Sequence, residues 1–210
     1  MDITGGFVLE GRYVRLEPLA LEHWTPLVSV GLNGDVFHWF PNPVRSAADM
    51  LKFIEAALEE TAAGLAIPFA TIDRTSGRPI GATRFGNIDR PNRRVEIGWT
   101  WLGTPWQRTA ANTEAKYLML RHAFEVWACN RVEFKTDSLN ERSRAALLRI
   151  GAKEEGTLRN HVVTASGRLR HSVYYSVIRE EWPRVKTELE AKLERRHERV
   201  SVDTNSKAGG

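Results

Sequence analysis

The chain has little cysteine, few methionines and no long apolar run. Cys129 is the only cysteine in 210 residues, so no disulfide can form within the chain. A zinc site would have to rest on histidine and carboxylates. The six histidines show none of the ligand spacings that such a site uses, so no metal is expected. Cys129 stands beside apolar Ala128, near the end of a helical pattern, and reads as a buried structural thiol rather than a nucleophile. No stretch approaches eighteen apolar residues. The start, Met1-Asp2-Ile3-Thr4-Gly5-Gly6, has neither a basic segment nor an apolar one, so a cytoplasmic protein is expected, with no membrane partner. Charge of one sign is also missing. The net charge of +4 is mild, and acids alternate with bases along Glu180–Arg199, which suits a solvated helix and not a nucleic-acid surface.

What remains is ordinary for a folded domain: 42% hydrophobic and 27% charged residues, enough for one core with an appendage. Phe7–Leu16 reads as extended, ended by Pro18. Leu21–Leu32 has helical spacing. A second helix follows Ser46, with Asp49 at capping-box distance, and closes at Gly64. Ala66–Asp73, Pro79–Asp89 and Arg94–Leu102 read as three strands joined by short turns, an antiparallel meander. Helical spacing returns over Asn112–Ala128. A strand follows at Arg131–Asp137, then a short helix over Asn140–Ile150 with Gly151 just past its end. Glu154–Val163 and Arg168–Val177 form a hairpin, and Glu180–Arg199 a charged helix. Val200–Gly210 reads as a flexible tail. This order predicts an α+β domain with a mixed, mainly antiparallel sheet and helices on both faces.

The most informative stretch runs from Gly98 to Ala115. It reads as a strand, a short loop and a helix start, with Arg108 in the loop. The first turn of a helix presents amides without partners, and its dipole favours negative charge, so a phosphate-bearing ligand is one reading and an ordinary strand–helix connection the other.

Four local motifs in this order resemble the GCN5-related N-acetyltransferase (GNAT) superfamily, and within it the RimJ/RimL-like branch. They are Val95-Glu96-Ile97-Gly98-Trp99, Trp106 through Lys116, Asn140-Glu141-Arg142-Ser143-Arg144 running to Gly151, and Glu155-Gly156-Thr157-Leu158-Arg159 with the hairpin ending in Tyr174-Tyr175-Ser176. The resemblance covers about residues 7–182, leaving 183–199 as a helical extension and 200–210 as the tail. It implies acetyl-CoA as cosubstrate, an amine acceptor, and direct attack within a ternary complex. A non-catalytic acyl-CoA sensor and a succinyl-CoA-dependent enzyme are the alternatives, and a homodimer is a modest expectation.

The resemblance also implies site residues. The diphosphate would lie on the amides of Gln107, Arg108, Thr109, Ala110, Ala111 and Asn112. Ala110 and Asn112 stand at the family's two usual glycine positions, both changed here, and Asn112 is a cap, a direct contact or a residue that widens the loop. The pantetheine arm would lie between the strands Arg94–Leu102 and Arg131–Asp137, against the backbone of Trp101, Leu102 and Gly103. The rings of Trp99, Trp101 and Trp106 read equally as core. Asn140 would contact the arm or cap its helix, and Ser143 would offer a proton to the sulfur or simply be solvated. Glu96 would act as base through a water, or else form an ion pair with Arg84 or Arg94, or bind the substrate without proton transfer. Alternation along its strand puts Glu96, Gly98 and Thr100 on one face. Leu147 stands where many members have a tyrosine acid, and it cannot donate a proton. His38, Trp39 and Phe40 would wall the acceptor site. His161 and His171 read as surface residues. Arg159, Arg168 and Arg170 could meet an acidic acceptor or acyl group.

Overall fold

In the computed structural model, residues 6–207 are described. Eight strands form one sheet: β1 (Leu9–Glu10), β2 (Val14–Pro18), β3 (Ile67–Asp73), β4 (Pro79–Asp89), β5 (Arg94–Leu102), β6 (Arg131–Asp137), β7 (Lys153–Val163) and β8 (Leu169–Ile178). Five helices accompany them: α1 (Trp24–Gly31), α2 (Ala47–Ala62), α3 (Ala111–Arg121), α4 (Glu141–Arg149) and α5 (Trp182–Lys207). The sheet order is β1-β2-β3-β4-β5-β6-β8-β7, antiparallel throughout except for β5 and β6. Those two are parallel because α3 carries the chain back across the sheet between them, a connection that only parallel strands require.

The sheet divides the core. On one face, α1 and α2 cover β3 and β4 with Leu27, Phe37, Met50, Ile54 and Trp101. On the other, α3 and α5 cover the sheet with Leu118, Met119, Trp182 and Leu189 against Phe85, Ile97, Val132 and Phe134. Helices thus lie on both faces, as expected. Ser46 caps α2, its Oγ accepting from the Asp49 amide at 3.1 Å.

Local readings differ in four places. The extended stretch at the start is two short strands, because the chain turns at Gly11. The buried carboxylate of Glu114, on α3, fixes that turn by accepting from the amides of Arg12, Tyr13 and Val14 at 2.8, 2.6 and 2.7 Å. A Cβ at Gly11 would stand 2.5 Å from the same carboxylate. The long helix expected from Asn112 to Ala128 starts one residue earlier and becomes a π-turn over His122–Val126. His122 there is stacked on Phe7 at 4.2 Å, and burial lowers its pKa to about 4, so it is a neutral core imidazole. The last helix continues as far as Lys207, through most of the expected tail; residues 208–210 lie outside the described residues. Cys129 is buried, and burial raises its thiol pKa to about 11, consistent with a structural role.

Candidate active site

The site begins where two parallel strands part. β5 and β6 pair only at Arg94–Arg131, Val95–Val132 and Glu96–Glu133. Beyond Glu96 the two strands continue without pairing, and the opening between them exposes peptide groups of β5.

A bulge in β5 decides which side chains face which way. The register against β4 passes from Arg84–Gly98 to Ala82–Trp101, so one residue of β4 faces two of β5. Trp99 sits in the bulge at φ +50°, a left-handed conformation rare for an aromatic residue. The expected alternation therefore fails past Gly98. Trp99 turns to the Glu96 face, over Gly86 and against Arg84, whose guanidinium carbon lies 3.7 Å from the ring centroid. Thr100 turns to the α3 face, where its hydroxyl meets Lys116 Nζ at 2.5 Å and Thr83 Oγ1 at 2.7 Å.

Glu96 is buried in the centre of the sheet. Its Oε2 accepts from Asn87 Nδ2 at 2.7 Å and from Lys135 Nζ at 3.3 Å. The ion pair is thus with Lys135; Arg84 pairs instead with Glu60, and Arg94 with Asp89 and Glu133. Around Glu96 opens a cleft lined by Asn87, Asp89, Glu133, Leu158 and Tyr174. Tyr174 of the hairpin lines it, a role that residue types alone did not single out. Tyr174 stands directly across from Lys135, with its phenol pKa raised by burial and by Glu96 and Glu133. His161, outside that lining, meets Tyr174 edge-on at 5.9 Å, and desolvation, Lys135 and Arg170 lower its pKa. The signal for Tyr174 was register: it shares a sheet face with Lys135 while Tyr175 points into the core.

The loop before α3 sorts the remaining candidates. The amides of Arg108, Ala110, Asn112 and Thr113 donate to no acceptor among the described residues. Those of Gln107 and Ala111 are taken, by the Thr104 carbonyl and Thr109 Oγ1. The helix N-cap is Ala110, not Asn112, and the Asn112 Oδ1 is buried without a partner. Exposed Arg108 holds φ +60°, and its carbonyl accepts from Arg196 of α5 at 3.0 Å. Gln107 Nε2 binds the Leu102 carbonyl at 3.0 Å, closing the loop onto the end of β5. Free amides and Arg108 fit the diphosphate of a coenzyme A thioester, whereas the Asn112 Oδ1, an acceptor, can only meet a donor.

Of the three expected backbone contacts on β5, Gly103 has no free group. Its amide donates to the Ile80 carbonyl at 2.8 Å, and its carbonyl accepts from Trp106 at 3.0 Å. Trp101 pairs with Ala82 of β4, so beyond the bulge the groups turned to the opening are those of Leu102; Gln107 already takes its carbonyl, which leaves the Leu102 amide. The Trp101 ring is core, 4.9 Å from Phe37. Asn140 caps α4, accepting from the Ser143 amide at 3.1 Å, with Ser143 half-buried in the first turn. Leu147 is buried core. The loop residues separate: Phe40 packs on Phe37 and Phe53 near α2, while exposed His38 pairs with Asp35 at 3.1 Å and meets Trp39 edge-on. The same loop touches the hairpin tip, where the Ala165 amide donates to the Pro41 carbonyl at 2.9 Å. None of the three lines the cleft at Glu96. Among the described residues no cluster of three or more His, Cys, Asp or Glu is placed to hold a metal, and no helix is long and apolar enough to cross a membrane.

Comparison with known proteins places this arrangement. The acetyltransferase (GNAT) domain description matches residues 14–153. The chain is 35% identical over 106 residues to YdaF of Bacillus subtilis (strain 168), which carries the provisional name of a ribosomal N-acetyltransferase; the match covers 50% of this chain and 57% of YdaF. A crystal structure of a GCN5-related N-acetyltransferase from Brucella melitensis superposes with a TM-score of 0.83 at 33% identity, covering 90% of this chain and 86% of that one. Mycobacterium smegmatis RimJ, solved with CoA-disulfide, shares the fold at 22% identity with a TM-score of 0.75, over 88% of this chain and 91% of that one. The chain belongs to the GNAT acetyltransferase family and is an acyltransferase.

Proposed function

We propose that this acyltransferase moves an acetyl group from acetyl-CoA to a primary amine, either a protein N-terminus or a small amine, by direct attack in a ternary complex. The observation that carries the reading is the parting of β5 from β6 beside a loop of free amides. One feature suits an extended thioester arm and the other its diphosphate.

In this reading Arg108 and the amides of Ala110, Asn112 and Thr113 hold the anion. The Leu102 amide aligns the arm, with Asn140 at its far side. The amine enters from the Glu96 face. Glu96, through a water, takes the proton that the amine must lose as its nitrogen bonds to the acyl carbon. Lys135 holds the Glu96 carboxylate in place, and the breaking carbon–sulfur bond leaves a thiolate that Ser143 can protonate. No side chain needs to carry the acyl group, and the buried Cys129 thiol is unsuited to it. The likeness to YdaF, named as a ribosomal N-acetyltransferase, makes an amine of a ribosomal protein the first acceptor to try.

The experiment is acceptor-dependent thiol release. Protein, acetyl-CoA and a panel of amines and N-terminal peptides are mixed, and free CoA and acetylated product are measured together. Release that requires the amine supports the reading. CoA binding without turnover across the panel favours a sensor.

A further inference from the structure

The Glu96 face of the sheet continues along β6 and β8 as Lys135, Asp137, Tyr174, Ser172 and Arg170. Charge is unevenly shared there. Asp137 has no exposed surface, and its carboxylate is taken by Arg168. Arg170 is buried as well, and its Nε lies 3.8 Å from the same carboxylate oxygen, too far for a hydrogen bond. That Nε has no hydrogen-bond partner among the described residues, and neither has the fully buried Oγ of Ser172, two positions along the strand. Two guanidinium groups therefore face one carboxylate, next to two idle polar groups.

Around Glu133 the balance is the reverse. Arg94 is shared between Asp89 and Glu133, and Arg131 between Glu133 and Glu155, so two guanidinium groups face three carboxylates. Burial lowers the Arg170 pKa while Asp137 and Glu96 act to raise it. A buried donor without a partner is costly, and native structures keep few of them. A carboxylate would satisfy Arg170 in the two-point geometry that guanidinium groups favour, with the Ser172 hydroxyl beside it.

We infer that Arg170 and Ser172 form a subsite for a carboxylate carried by the substrate, on the Glu96 face of the sheet beyond Lys135. This rests on the acyltransferase reading above. The carboxylate can arrive on the acceptor, as in an amino acid, or on the acyl group, as in a succinyl thioester.

Calorimetric titration separates these sources. In one arm, CoA-saturated protein is titrated with the common L-amino acids and with their α-amides. In the other, the free protein is titrated with succinyl-CoA and with acetyl-CoA. The readout is the affinity ratio of each charged probe to its uncharged partner, so general damage to the fold cancels. One arm should favour the carboxylate by about tenfold or more, as a charge-assisted pair implies. Arg170→Gln should abolish that preference, Arg170→Lys retain part of it and Ser172→Ala weaken it. Asp137 keeps Arg168 in every variant, and Ser172→Ala leaves the charges untouched should Arg170→Gln fold poorly. Ratios near one in both arms, or a preference that survives Arg170→Gln, would overturn the inference. Thiol release is followed separately. Binding preference without turnover counts against the acyltransferase reading alone, and turnover without preference counts against the subsite alone.

Discussion

The guanidinium of Arg84 lies 3.7 Å from the centre of the Trp99 ring, on the face of the sheet that carries Glu96. Trp99 reaches this position only because the bulge gives it a positive φ and Gly86 leaves room beneath it. A Cβ at position 86 would stand 2.5 Å from the ring. Gly86→Ala should therefore push the indole aside at a cost of about 1–3 kcal/mol, as other overpacked sites do. Arg84→Ala should cost about 0.5–2 kcal/mol through the lost cation–π contact. Urea unfolding midpoints measure both.

Glu96 is the group on which proton removal rests. Glu96→Gln keeps the size of the side chain and an oxygen for Asn87 while removing the base. The maximal rate of acyl transfer should fall by about 10²–10⁴-fold, with affinity for acetyl-CoA unchanged. A fall of less than about threefold would assign Glu96 to amine binding instead. Steady-state rates at saturating donor decide this.

Lys116 gives the protein a pH signature. Burial lowers its pKa from 10.5 to about 7, and its partners are the hydroxyls of Thr83 and Thr100. Between those values the unfolded chain holds a proton that the folded chain has released. Unfolding takes up protons there, so this group makes stability rise with pH from about 7 to about 10.5. Below that window both states are protonated, and the full cost of burying the ammonium applies. Lys116→Met should remove the slope and stabilise the protein most at low pH, since Thr83 and Thr100 already contact each other at 2.7 Å. Urea midpoints at about pH 6 and about pH 9 test the sign.

The loop before α3 should govern affinity for the donor. Arg108→Ala removes one charge-assisted contact and should weaken CoA binding by about 1.5–3 kcal/mol, or roughly tenfold or more. A bulky residue at Ala110 should weaken it further by blocking approach to the free amides. Titration calorimetry with CoA measures both, and circular dichroism confirms the fold of each variant.

Much of the fold was legible because periodicity reports burial directly. The meander, the α3 crossover and the capping of α2 by Ser46 follow from spacing and turn residues alone. The turn at Gly11 was hidden because the group that fixes it, Glu114, lies about a hundred residues away and is buried. Where a motif names a position, the structure places Glu96 in the cleft and Asn140 at the cap of α4. The site was not legible past Gly98, because strict alternation cannot anticipate a bulge, and the bulge exchanges the faces of Trp99 and Thr100. Gly103 failed for a similar reason: whether a main-chain group is free depends on pairing with Ile80 and Trp106. Tyr174 reaches the cleft only through the register of β8 against β6.

The most direct test of the central claim is a single assay of acetyl-CoA with an amine panel that includes N-terminal peptides of ribosomal proteins. CoA thiol and acetylated amine are quantified in the same sample. The expected result is equal amounts of thiol and acetylated amine, formed only when an amine is present and lost in Glu96→Gln. Saturable CoA binding with no amine-dependent thiol release from any member of the panel would contradict it.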